Sequence, residues 1–353
     1  MSGPAAGALV SGRVDLAASV PDGTARVDFK VDGAVVASAP AAPFVASWDS
    51  FSVADGDHDV AVSAVDASGA ATSSPAVRIT VSNHIKTVFV IVLENHDWSS
   101  IQGAASAPYV NKTLLAQGAH ADNYVNVPGL HPSLPNYIWM EAGSTLGVTD
   151  DAAPAYHKLT TSQHLVTLLK AAGLTWRAYQ EDIPGTDCPL TNVNQYAPKH
   201  LPMIYFTDVN SNVDRSSSEC ISHIRPYSEL SRDLETDAVA SYNFITPNLC
   251  NDMHDCSIGT GDAWLAREVP KILTSRAYRD GGALFVAFDE SAGSDVPIGF
   301  IALSPLVKPG YSNNLRYTHS SFLRSVQEIF GVTPLLGDAA NATNVSDLFR
   351  SFP

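Results

Sequence analysis

Basic charge is scarce in this chain. Its 353 residues carry 21 Lys and Arg against 36 Asp and Glu, a formal net charge of −15. That balance argues against nucleic acid as the main partner, because phosphate binding needs basic patches that release counterions. It argues equally against charge-driven docking on an anionic membrane. Long hydrophobic runs are also missing. A bilayer span needs about 18–20 apolar residues, and the longest compact run, Val88 to Leu93, has the length of a strand. The opening Met1-Ser2-Gly3-Pro4-Ala5-Ala6 has no basic n-region and no apolar h-region. No signal peptide is visible, so an export leader would have to lie outside this sequence. What is present suffices for a core: 45% of residues are apolar and only 16% charged, too little charge for a disordered chain. At about 100–200 residues per domain, two domains are expected.

Cysteines are few, at positions 188, 220, 250 and 256, and form no CxxC zinc pattern. An even count, confined to one stretch of a low-lysine chain, fits two disulfides in an exported protein. Cys188–Cys220 and Cys250–Cys256 each close a local loop and are the expected pairs. Four reduced thiols in a cytosolic protein are the alternative.

Residues 1–83 hold no cysteine and a single histidine, His58. Alternating segments recur there: Ala25 to Val31, Phe44 to Trp48, Val60 to Ala64 and Val77 to Val81. Apolar residues at every second position put one face in a core and the other in water. Asp32-Gly33 between two such runs signals a tight hairpin, and Asp55-Gly56 and Ser68-Gly69 mark further turns. Strands at this spacing suggest a small β-sandwich. Val31-Asp32-Gly33 and Ala64-Val65-Asp66-Ala67-Ser68-Gly69 resemble bacterial immunoglobulin-like modules.

After the joint Ser82-Asn83-His84 the pattern changes. The continuous run Val88 to Leu93 reads as a strand buried on both faces. Leu174–Tyr179, Ala240–Ile245, Ala283–Phe288 and Ile298–Leu303 are further expected strands. Helices are expected over Thr161–Ala172, with Ser162 as N-cap, over Asp262–Leu273 and over Ser321–Phe330. Strands alternating with helices imply an α/β domain over residues 84–353 with a mostly parallel central sheet. Residues 180–235 read as an irregular, polar excursion over that sheet.

Four clusters sit where α/β enzymes keep their sites, past the carboxyl ends of strands. In Leu93-Glu94-Asn95 a buried strand ends in a carboxylate and an amide, oxygen ligands suited to a hard divalent metal, or simply a polar loop. In His131-Pro132-Ser133-Leu134-Pro135, Ser133 is either a nucleophile or the N-cap of the helix that follows, running through Met140. The positive helix end there favours an anionic substrate. No Gly-x-Ser-x-Gly elbow surrounds Ser133, which removes support for carboxyl-ester chemistry. In Asn248 to Cys256, Asp252, His254 and Asp255 lie inside the loop the second disulfide would close. They are candidates for phosphate contact, proton transfer or metal ligation, or else a polar surface loop. In Phe288-Asp289-Glu290 two adjacent acids end a strand, a repulsion that a cation relieves or a solvated turn tolerates.

Taken in this order, these segments resemble the bacterial phosphoesterase family of secreted acid phosphatases, phosphatidylinositol-phosphate phosphatases and phospholipases C. The resemblance runs from Lys86 to Val332 and includes Tyr317-Thr318-His319-Ser320-Ser321. The Ser133 segment is also similar to the nucleophile element of nucleotide pyrophosphatases in the wider alkaline-phosphatase superfamily. The resemblance implies an alkaline-phosphatase-like fold. It implies that Glu94, Asn95, Asp289 and Glu290 bind one divalent metal, and that Ser133 completes its shell and attacks phosphorus. His131 and His254 would contact phosphoryl oxygens or move protons, Asp255 would orient His254, and His319 matches a family histidine. Oxygen ligands favour Ca, Mg or Mn, with Fe or Zn also accommodated.

The leading expectation is a secreted or cell-surface bacterial phosphomonoesterase, a monomer acting on a phosphorylated small molecule or phospholipid head group. Cationic histidines, with an ordinary pKa of about 6.5, would give it an acidic optimum. A phospholipase C-type phosphodiesterase and a non-catalytic wall-binding protein are the competing readings. All of this requires acids from two distant parts of the chain to meet beside the Ser133 hydroxyl.

Overall fold

The computed structural model describes every residue except Ser294. The chain divides into two compact units, Met1–His84 with Arg279–Gly281, and Ile85–Tyr278 with Gly282–Pro353.

The first unit is an immunoglobulin-like β domain. Its larger sheet runs β1 (Leu9–Val10), β8 (Val77–Val81), β6 (Gly56–Asp66), β3 (Thr24–Val31), β4 (Ala34–Ala39), with β7 (Ala71–Ser73) pairing β6. A second sheet pairs β2 (Arg13–Ala17) with β5 (Val45–Asp49). The alternation in the sequence sets the core. Val27, Phe29 and Val31 on β3, Val60 and Val62 on β6, and Leu16 and Trp48 on the second sheet are all buried in one cluster. Asp32 and Gly33 take φ of 48° and 84°. Positive φ at both central residues matches the right-handed twist of the hairpin strands, which is why an Asp-Gly pair stands there.

The second unit is an α/β domain around a mixed eight-stranded sheet. The strands are β9 (Thr87–Leu93), β10 (Ala119–Ala121), β11 (Trp176–Gln180), β12 (Ile224–Pro226), β13 (Tyr242–Thr246), β14 (Gly282–Phe288), β15 (Phe300–Leu303) and β16 (Tyr311–Asn313). Their spatial order is β12-β11-β13-β9-β14-β15-β10-β16. From β12 to β14 every pairing is parallel, whereas β15 runs antiparallel to both β14 and β10. β9 and β14 are side by side, with Leu93 opposite Phe288. Glu94 and Asp289 therefore leave adjacent strand ends, and the Asp289 amide donates back to the Leu93 carbonyl at 3.0 Å.

Two sequence expectations need correction. The helix predicted from Thr161 spans only Leu165–Ala171, and Ser162 caps nothing. His164 is its N-cap in extended backbone, held there because its ring is buried between Glu141 and Asp208. Residues 180–235 are also more ordered than expected. They form the edge strand β12, helices Ser218–His223 and Glu229–Glu235, and short turns at Pro198–His200 and Pro202–Tyr205. Their order rests on buried residues such as Leu201, Met203, Ile204, Tyr205 and Phe206, a continuous buried run with no exposed face to set a period. Both expected disulfides are present, Cys188–Cys220 and Cys250–Cys256. Among the described residues no helix is long and apolar enough to cross a membrane.

Candidate active site

The helix Ser133–Ala142 begins at Ser133 itself, with Pro132 as its N-cap. The Ser133 hydroxyl thus caps nothing. It donates to Glu94 Oε2 at 3.2 Å, and both side chains are buried. Tyr137, one turn along the same helix, donates its hydroxyl to Glu94 Oε1. The far end of the helix is fixed by Gly143 at φ 66°, where a side chain would drive a Cβ to 2.3 Å from the Leu336 carbonyl. Only glycine suits that left-handed cap, so the helix carrying Ser133 has a set length and seat.

The predicted acids converge. Asn95, at φ 48°, turns its amide N–H to Asp289 Oδ1 at 3.1 Å. The outer atom of its side-chain amide stands 3.1 Å from Glu290 Oε1 and 3.2 Å from Asp289 Oδ1. An amide turned one way donates to both carboxylates; turned the other, its oxygen joins them as a third oxygen ligand. Asp289 Oδ2 is buried with no hydrogen-bond partner. Burial, with repulsion from Glu94 and Glu290, pushes the Asp289 carboxyl well up. Burial also pushes Glu290 up to about 7, with repulsion from Glu94 and Asp151 and against the pull of His131. A crowd of buried carboxylates with an orphaned oxygen suits a divalent cation, since buried charge is costly until it is paired.

Of the predicted histidines, His131 pairs Glu290 Oε2 through Nδ1 at 2.6 Å. His254 Nδ1 meets Asp255 Oδ1 at 2.7 Å. That fixes the ring and leaves Nε2 without a hydrogen bond among the described residues. His319 is fully buried, and both its ring nitrogens are engaged, with the Tyr124 hydroxyl and the Asp289 carbonyl. It has no nitrogen left for a phosphoryl group. Burial lowers it to about 4, so it is neutral over ordinary pH. One amide of the helix end expected to favour an anion is already engaged: Leu134 donates to Asp151 Oδ1 at 2.9 Å.

A match to the phosphoesterase family model covers residues 105–333. The chain belongs to the phosphoesterase family. It is accordingly a phosphoric ester hydrolase. A bacterial Ig domain model matches residues 1–62. A Mycobacterium tuberculosis phosphatidylinositol-3-phosphatase is 31% identical over 266 residues, 74% of this chain and 82% of that protein. A phosphate-repressible acid phosphatase of Penicillium chrysogenum is 29% identical over 258 residues, 70% of this chain. The chain spans 59% of the length of that fungal relative. Among solved structures, a Bacteroides thetaiotaomicron protein of a glycosaminoglycan-metabolism locus aligns over 76% of this chain and 82% of its own. Its TM-score is 0.50 at 11% identity, a likeness of fold alone.

One buried residue of this phosphoesterase escaped the sequence reading, and a second, Asp252, was read only as part of its loop. His200, in the turn Pro198–His200, pairs Glu94 Oε2 through Nε2 at 3.2 Å and Asp252 Oδ2 through Nδ1 at 3.4 Å. It stacks on Tyr137 with ring centres 5.2 Å apart. Burial opposes its charge, yet the nearby Glu94 and Asp252 carboxylates push it up to about 9. In return, His200 and Tyr137 hold the Glu94 carboxyl below the usual range despite complete burial. Burial raises Asp252 to about 6 against the pull of His200. Glu94, His200 and Asp252 each bring a ligand atom within 4.8 Å of the others, so this trio too could hold a metal ion. Asp252 lay inside the Asn248–Cys256 segment beside His254. His200 had no comparable signal.

Proposed function

We propose that this phosphoesterase is an exported, metal-dependent phosphomonoesterase with Ser133 as its nucleophile. The observation that carries the reading is the buried Ser133 hydroxyl, 3.2 Å from a Glu94 carboxylate oxygen that His200 also holds at 3.2 Å. That contact orients the hydroxyl and supplies an acceptor for its proton. His200 then steadies the acceptor, with Asp252 behind it. In the reading, the Ser133 Oγ–P bond forms as the P–O bond to the alcohol breaks. A phosphoserine results, which water hydrolyses to return free Ser133 and inorganic phosphate. His254, with Nε2 unengaged and Nδ1 fixed on Asp255, is suited to hand a proton to the departing alcohol. His131 and Asn136, both on Glu290, orient that carboxylate, and His319 serves as a positioning residue.

A cation would be held by Glu94, Asn95, Asp289 and Glu290, or by Glu94, His200 and Asp252, with Glu94 common to both sets. When bound, it supplies neutralisation of phosphate charge and a lower pKa for the serine hydroxyl. Oxygen ligands alone favour Ca, Mg or Mn, and an imidazole in the set extends the choice to Zn or Fe. Both similar proteins are named as phosphatases, which supports a monoester over a diester. Two disulfides support export. The test is Ser133→Ala assayed with p-nitrophenyl phosphate. Loss of nearly all activity with an unchanged fold is expected, and full activity would overturn the assignment.

A further inference from the structure

A small cavity of about 160 Å³ opens beside the site, lined by Asp151, Asn192, Lys199 and His254, with Pro198 and Leu249 among its apolar walls. Three features tie it to the chemistry. Asp151 Oδ1 accepts the amide of Leu134, the residue after Ser133. Lys199 feels the charges of Glu94 and Asp289. The His254 ring lies 5.9 Å from the His200 ring. A substrate whose phosphorus faces Ser133 and whose bridging oxygen faces His254 would extend its alcohol part into this space.

We infer that this cavity is the leaving-group subsite, and that the alcohol it takes is a small neutral polyol of about glycerol size. The inference rests on the phosphomonoesterase reading and adds the substrate class. Size comes first. The cavity is smaller than the roughly 300–1,000 Å³ of most ligand pockets and close to the about 150 Å³ that takes one benzene, room for about six heavy atoms. A nucleoside or an acyl chain exceeds that volume and would extend past its open mouth. Its lining decides the chemistry. Apart from His254 it has no aromatic side chain, so a base or aryl ring finds no face to stack on.

The polar groups have capacity to spare. Lys199 Nζ donates one bond, to Asp151 Oδ2 at 3.0 Å, and an ammonium has three donors. Each Asp151 oxygen accepts one bond, from Leu134 or Lys199, and keeps a lone pair. The side-chain amide of Asn192, exposed at the rim, makes no hydrogen bond among the described residues. Spare donors beside spare acceptors match hydroxyl groups, which both give and accept. They do not match a second phosphate, because Asp151 cancels the Lys199 charge and repels an anion.

The experiment compares glycerol 2-phosphate with p-nitrophenyl phosphate in the full chain and in Asn192→Ala and Lys199→Met. Asn192→Ala changes an exposed side chain and keeps the test valid if Lys199→Met misfolds. The ratio of kcat/KM for the polyol ester to that for the aryl ester is expected to fall roughly fivefold in Asn192→Ala. In Lys199→Met it falls at least about tenfold, a charged donor being worth more than a neutral one. Ratios that stay at the wild-type value would overturn the subsite, and so would wild-type preference for adenosine 5′-phosphate over glycerol 2-phosphate. No hydrolysis of any monoester by wild type would instead overturn the phosphomonoesterase reading, so the two failures are distinguishable.

Discussion

His319 Nε2 donates to the carbonyl oxygen of Asp289 at 2.5 Å, and its Nδ1 accepts from the Tyr124 hydroxyl at 2.9 Å. A carbonyl only accepts, so the Nε2 proton is fixed and Tyr124 must be the donor at the other side. The pair clamps the peptide that joins Asp289 to Glu290. His319→Leu and Tyr124→Phe are expected to lower metal retention and kcat together, His319→Leu by about 10–100-fold, as is usual for groups behind a metal ligand. Metal analysis after dialysis, with circular dichroism to check folding, decides it. Unchanged metal content and kcat in His319→Leu would sink the clamp.

Removing the cation is expected to cost stability as well as activity. Glu94, Asp252, Asp289 and Glu290 are all buried, and without a cation their repulsion is opposed by His200, His131 and Lys199. A ligand that binds only the native state stabilises it by mass action. Chelator treatment should therefore lower Tm by at least about 3 °C, on a scale of roughly 2–4 °C per kcal/mol for domains of this size. Adding back a divalent ion should restore both Tm and hydrolysis. A chelated protein with the same Tm and rate would contradict metal dependence.

Away from the site, His164 sets a pH dependence of stability. Its Nδ1 lies 2.9 Å from Glu141 Oε1 and its Nε2 3.1 Å from both Asp208 oxygens. Burial alone would lower its pKa, but those bonds and the attraction of both carboxylates raise it to about 9. The folded state binds this proton more tightly than the unfolded state, where the pKa is about 6.5. Its stabilisation is full below about 6.5 and is lost as pH rises through about 9, some 3 kcal/mol at most. Denaturant midpoints measured across that window should fall in the wild type and fall less in His164→Gln. Parallel slopes would refute the assignment.

The Cys250–Cys256 bridge closes a loop with a sequence separation of 6, and His254 and Asp255 sit inside it. By loop entropy alone its loss costs about 2 kcal/mol. Replacing both cysteines with alanine is expected to lower kcat more than about tenfold in the folded protein, because His254 loses its fixed seat. Rate and Tm measured together separate the effects. A lower Tm with wild-type kcat would show that the bridge serves stability only.

Much of this site was legible because it stands at the ends of strands that announce themselves. Val88–Leu93 and Ala283–Phe288 are continuous apolar runs, and each stops at an acid. Parallel pairing of β9 with β14 then brings Glu94 and Asp289 together, which the sequence order allowed but did not determine. Ser133 was ambiguous between cap and nucleophile. Pro132 as the N-cap and the hydroxyl's contact with Glu94 exclude the cap, which no local pattern could do. His200 was illegible for a different reason. It lies in a short turn without periodicity, and its partners Glu94 and Asp252 come from remote segments. Asp151 was missed likewise: its link to Leu134 exists only once the loop folds over the helix start.

That link has a consequence for turnover. A bare helix terminus would grip the free phosphate left after hydrolysis and slow the enzyme's return to its starting state. With the first amide after Ser133 taken by an internal carboxylate, a phosphate seated there would have one handle fewer to hold it.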